Sequence, residues 1–83
     1  MRREAVNSTS IASIGYESAK RQLEIEFRES GDVYRYFDVL DNEYAAFMAA
    51  DSKGTYLNQV FKPRDYRYIV VRKGQSRGSF RCV

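Results

Sequence analysis

The chain has 83 residues, 43% of them hydrophobic and 14% aromatic, which suits one small folded domain and excludes a disordered polar chain. It has no histidine and one cysteine, Cys82, and neither an apolar run of the ~18 residues a membrane span needs nor a secretory signal behind Met1-Arg2-Arg3-Glu4, so a cytoplasmic protein without disulfide, metal or cofactor is expected. The net charge of +3 is split into −4 over residues 1–51 and +7 over residues 52–83, an asymmetry that points to an anionic partner.

Residues 1–6 read as a loose arm. Asn7-Ser8-Thr9-Ser10 groups side chains that bond their own backbone, the composition of a turn. Ile11 to Tyr16 is a first strand, with Ala12, Ile14 and Tyr16 on one face by period two. Gln22 to Arg28 alternates strictly, Leu23, Ile25 and Phe27 against Gln22, Glu24, Glu26 and Arg28, as an antiparallel strand with one buried and one wet face does. The link between these strands is short enough for a hairpin, and Glu29-Ser30-Gly31-Asp32 is a second turn in which Gly31 takes positive φ without strain. The third strand follows, with Tyr34 and Tyr36 on one side and Val33, Arg35 and Phe37 on the other. An arginine makes the second side the worse one to bury, so the tyrosines are expected to face the core and Arg35 to lie beside Glu24 or Glu26.

Asp41 is expected to cap a helix whose apolar stripe is Tyr44, Phe47 and Met48. Gly54 is expected to end that helix and Ser52 to cap a second, short one over Thr55 to Phe61. Pro63 biases Lys62 toward an extended shape, which should stop the second helix there. Tyr66 to Arg72 alternates as a fourth strand at a sheet edge, and residues 74–83 read as a flexible basic tail. The order is β-β-β-α-α-β over residues 1–73. It describes an α+β domain, an antiparallel meander of three strands with two short helices on one face and a fourth strand near the C-terminus.

Catalysis is not expected. No histidine offers a base, and Glu24 and Glu26 share a wet strand face with nothing to give them unequal environments. Binding is better supported. Ser52-Lys53-Gly54-Thr55 brings free amides, a glycine and a lysine to a helix start, a pattern that suits a phosphate and equally an ordinary cap. Arg64, Arg67 and Arg72 interleave with Tyr66 and Tyr68, and charge beside flat rings is what single-stranded nucleic acid requires. The alternative is that these tyrosines pack inward and the arginines are solvated. Candidate contacts are Lys53, Tyr56 and Asn58 around the second helix, Arg64, Tyr66, Arg67 and Arg72 beyond it, and Arg35 on the third strand. They fit a non-catalytic binder of RNA or a nucleotide. Two other classes fit the same features: a homo-oligomer that sequesters a nucleotide-derived messenger between subunits, and a protein-interaction module that offers its last strand as an edge.

One ordered set of residues spans Val6 to Val71. It comprises Ser8 and Ser10, Ile14-Gly15-Tyr16, Leu23-x-Ile25-x-Phe27, Gly31-x-Val33-Tyr34-x-Tyr36, Val39, Tyr44, Ser52-Lys53-Gly54-x-Tyr56-Leu57-Asn58 and Tyr66. This set resembles the KTSC domain, a short module seen at the C-terminus of some lysyl-tRNA synthetases and as free-standing small proteins. Through the synthetase context, the resemblance implies RNA binding.

Overall fold

The alternating segments form one antiparallel sheet in a computed structural model that describes residues 2–73. The strands are β1 (Arg3–Ala5), β2 (Ile11–Glu17), β3 (Gln22–Phe27), β4 (Val33–Tyr36) and β5 (Tyr68–Arg72), and they lie side by side in that order. Between β4 and β5 run α1 (Asp41–Ala49) and α2 (Lys53–Tyr56), which widens over Leu57–Phe61 and tightens over Lys62–Arg64. The α+β class stands, with a fifth strand added. The tail expected over residues 74–83 lies outside the described residues.

That fifth strand is the arm expected to be loose. Arg3 pairs with Gly15 and Ala5 with Ser13, and the Arg3 guanidinium donates to Ser13 Oγ and Glu24 Oε1, each at 3.0 Å. Gly15 permits the approach, because a Cβ there would lie 2.6 Å from the Arg2 carbonyl oxygen. Period two also fails at one point on β2. The register slips between Ile11 and Ser13, so Ala12 is the extra residue of a bulge. Ile11 and Ile14 then both reach the core, whereas plain alternation would put them on opposite faces.

Two rows of side chains cross the helix-facing side of the sheet: Ile14, Ile25, Tyr34 and Val70, and Tyr16, Leu23, Tyr36 and Tyr68. Phe47 of α1 and Leu57 and Phe61 of the second helical segment seal the middle of these rows. Each such fully buried side chain contributes roughly 1.5–3 kcal/mol. The other side carries charge. Arg35 donates to Glu24 Oε2 through Nε at 2.9 Å and Nη2 at 2.6 Å, so Glu24, gripped by Arg3 and Arg35, is only 3% exposed on a face expected to be wet.

Three helix-boundary expectations are corrected. Leu40 is the N-cap of α1 and Asp41 its first residue; the Asp41 carboxylate instead accepts from the Tyr16 hydroxyl at 2.8 Å. Gly54 lies inside α2, which Ser52 caps as expected by accepting from the Thr55 amide at 3.3 Å. Pro63 does not stop the second segment at Lys62, which stays helical at φ −60° and ψ −40°. Proline clashes with the carbonyl four residues back in a regular α-helix. Here the turn before it is widened, with the Lys62 amide bonded to Leu57 O, and the helix ends two residues later at Asp65 in the left-handed region, φ 60°.

Candidate functional site

The helices seal the sheet over β2 and β3 and leave its rings open over β4 and β5. Tyr36 is 6% exposed and packs its ring edge-on against Phe61, with centroids 4.9 Å apart. Tyr34 lies nearly parallel to Tyr68, 5.1 Å between centroids at 22°, and Phe27 meets Tyr34 edge-on at 5.2 Å. Tyr68 is 51% exposed. The tyrosines therefore run from the core outward to solvent.

These rings line two adjoining clefts that share Tyr34, Tyr36 and Lys62. One, of about 540 Å³, extends past Phe27 to Thr9 and Ser10; the other, of about 280 Å³, extends past Phe61 and Tyr66 to Tyr68. Carboxylates also line them, Glu29 and Asp32 at the first and Asp65 at the second. A third cleft of about 340 Å³ adjoins through Thr9 and Ser10 and is lined by Ser8, Ser52, Lys53, Gly54 and Asn58. The Tyr36 hydroxyl is held protonated: burial first, then the neighbouring Tyr34 and Tyr68, pushes its pKa up to about 12.

The eight candidate contacts do not gather on one surface. Lys53 and Asn58 meet in the hydroxyl-lined cleft, and Tyr66 lines the groove. Arg35 is on the far side of the sheet with Glu24. Tyr56, Arg64 and Tyr66 converge on the carboxylate of Glu43, which is 7% exposed. Arg64 Nε lies 2.6 Å from Oε1, Tyr66 donates to Oε1 at 3.0 Å, and Tyr56 donates to Oε2. Burial first, then the bond to Glu43, raises the pKa of both tyrosines. This knot ties α1 to the segment that carries Lys62.

Folding also sets the acidic first half against the basic second half. Besides Arg64 with Glu43, Arg67 meets Asp38 at 3.7 Å, Arg72 meets Glu26 at 3.3 Å and Lys73 meets Asp32 at 3.7 Å. Arg67 also lies over the Phe37 ring at 5.1 Å. Among the described residues, Lys53 and Lys62 have no ion pair. Both line the clefts, whereas Arg2, Lys20, Arg21 and Arg28, likewise without an ion pair among the described residues, stand elsewhere.

Phe27, Tyr34, Tyr36 and Lys62 were not among the sequence candidates. A stretch of helix too short to roof even the four expected strands was the available signal for the rings. Lys62 was hidden by the expectation that Pro63 ends the helix.

A single sheet with helices on one side and an unroofed aromatic groove defines this as a small α+β domain. Residues 7–68 match the family model of the KTSC domain, and the chain belongs to that family. It is 47% identical over 68 residues to an uncharacterized protein of Stutzerimonas stutzeri (strain A1501), covering 82% of this chain and 94% of that one. A protein of Tsukamurella paurometabola is 33% identical over 61 residues, covering 74% and 90%. The crystal structure of a KTSC domain protein from Yersinia pestis superposes with a TM-score of 0.79 at 38% identity, covering 86% of this chain and 97% of that one. No helix among the described residues is long and apolar enough to cross a membrane.

Proposed function

We propose that the chain is a non-catalytic binding module that holds a nucleotide or a short run of single-stranded RNA by stacking bases in the tyrosine groove. The observation that carries this is the Tyr34–Tyr68 pair, nearly parallel and open to solvent, with an unpaired lysine, Lys62, on the same cleft wall. A flat, partly exposed ring pair offers a base a face to stack on, a gain of about 1–3 kcal/mol per base. Lys62 meets phosphate as a point charge. Asp32 and Asp65 repel phosphate and accept from base amino groups, so the backbone of a strand runs past Lys62 toward Ser10 and Lys53. The arginines of the far face take no part.

Titration with a uridine hexanucleotide at several salt concentrations tests this. Contacts from Lys62 and Lys53 predict a log–log salt slope of about −1.4, from roughly −0.7 per phosphate on a single strand. Tyr68→Ala should weaken binding about tenfold, near the middle of the stacking range. Absence of binding, or binding indifferent to Tyr68→Ala, would refute the assignment.

A further inference from the structure

The two edges of the sheet are unlike each other. β1 is three residues long and carries Arg3 and Glu4, the short, charged form that discourages strand addition. β5 carries Tyr68, Ile69, Val70 and Val71 in succession, 51%, 48%, 41% and 42% exposed. Among the described residues, no strand lies beyond it. Apart from Leu40, these four are the exposed large hydrophobic residues of the described chain. From Tyr68 to Val70 the edge is apolar and regular, the bulge at Val71 and the charge of Arg72 coming only at its end, and such an edge is a template for another strand.

We infer that two copies of this chain pair antiparallel along β5 about a two-fold axis at Ile69, making one continuous sheet and a composite tyrosine groove. The register follows from the side chains. Tyr68 and Val70 stand on the helix-facing side, opposite Tyr36 and Tyr34, and Ile69 stands on the other side, opposite Arg35. With Ile69 facing its own copy, Tyr68 lies beside the partner's Val70 on the groove side, an aromatic and β-branched cross-strand pair made twice. The charges agree. The strand's approach carries Asp65 and its exit Arg72 and Lys73, which already face Glu26 and Asp32, so an antiparallel copy adds the Asp65 of one chain to the Lys73 end of the other and sets no like charges together. An isologous β5 contact closes at two copies, and the charged β1 edge stays outside, so no open fibre forms. The partner's Tyr68 and Val70 then extend the wall on which Tyr34 and Tyr68 stack. Only this last element rests on the nucleotide-binding reading.

Analytical ultracentrifugation of the full chain tests the pairing. The wild type should sediment as a dimer at ~100 μM, a concentration at which a micromolar association is complete. Ile69→Lys should sediment as a folded monomer whose melting midpoint matches that of wild type diluted until it dissociates, because losing the partner removes the stabilisation that dimerisation adds. In a Cys82→Ser background, Ile69→Cys should form an interchain disulfide under mild oxidation, because a residue on the two-fold faces its own copy at disulfide distance. The hexanucleotide should bind Ile69→Lys about tenfold more weakly than wild type. A monomeric wild type, or a dimer that survives Ile69→Lys, would overturn the inference. An Ile69→Lys monomer less stable than wild type diluted until it dissociates would also overturn it, since the edge would then be covered from within the chain. Equal binding by wild type and Ile69→Lys would overturn the composite groove. The two readings fail separately: a dimer that binds no hexanucleotide removes the nucleotide reading alone, and a monomer that binds it removes the pairing alone.

Discussion

Replacing Glu43 by alanine should be among the most damaging single changes outside the aliphatic core. The carboxylate is 7% exposed and receives the hydroxyls of Tyr56 and Tyr66 and the guanidinium of Arg64. Removing one partner of a buried pair costs about 3–5 kcal/mol when the other charge stays buried. Here the stranded groups are half-buried hydroxyls and a guanidinium about half exposed, which water can reach, so about 2–4 kcal/mol is the expected loss. Against a total stability of roughly 4–12 kcal/mol for a chain of this size, that is a large share. Arg64→Ala should cost less, about 1–2 kcal/mol, because the carboxylate it leaves buried keeps both hydroxyl donors. Urea unfolding followed by circular dichroism reads both, as a fall in midpoint at unchanged slope. Equal losses for the two variants would refute the argument, since the arginine rather than the buried carboxylate would then be the centre of the knot. The same substitution should weaken ligand binding, because the knot positions the segment that carries Phe61 and Lys62.

Alkaline pH should destabilise the fold in a defined window. The pKa values of Tyr16 and Tyr36 are pushed up to about 12 from 10.0, chiefly by burial. Between those values the unfolded chain loses protons that the folded chain keeps, so stability is intact below pH 10 and falls as pH rises toward 12. Urea midpoints measured across that range check it, and Tyr36→Phe should flatten the fall. Gly15→Ala should displace β1, because the new Cβ would meet the Arg2 carbonyl at 2.6 Å. The expected cost is about 1–3 kcal/mol, with faster amide exchange confined to residues 3–5.

Much of this fold was legible because period two is a local property. Leu23, Ile25 and Phe27 alternate against Glu24 and Glu26, and that alone orients β3 and, through its neighbours, Tyr34, Tyr36 and Arg35. The cap at Ser52 is equally local. What was not legible depends on contacts between distant residues. Arg3-Glu4-Ala5 has no strand pattern of its own, and β1 exists because Gly15 leaves room for it and Glu24 needs a second cation. Glu43 looks like any helix-surface acid until Tyr56, Arg64 and Tyr66 fold over it. The basic second half suggested one cationic surface, yet a charge count along the chain cannot show that Asp38, Glu26 and Asp32 lie opposite Arg67, Arg72 and Lys73. The site was half visible for the same reason. Tyr66 and Tyr68 were singled out beside the arginines, whereas Tyr34 and Tyr36 were expected only to face the core, and the openness of the groove follows from how little of the sheet the helices cover.

The groove itself is tested most directly by nuclear magnetic resonance mapping of the full chain with the uridine hexanucleotide. The largest shifts are expected at the rings of Tyr34 and Tyr68 and at Lys62, with upfield ring signals from base stacking. Shifts centred on Arg35 and Arg72, with the tyrosine rings undisturbed, would contradict it.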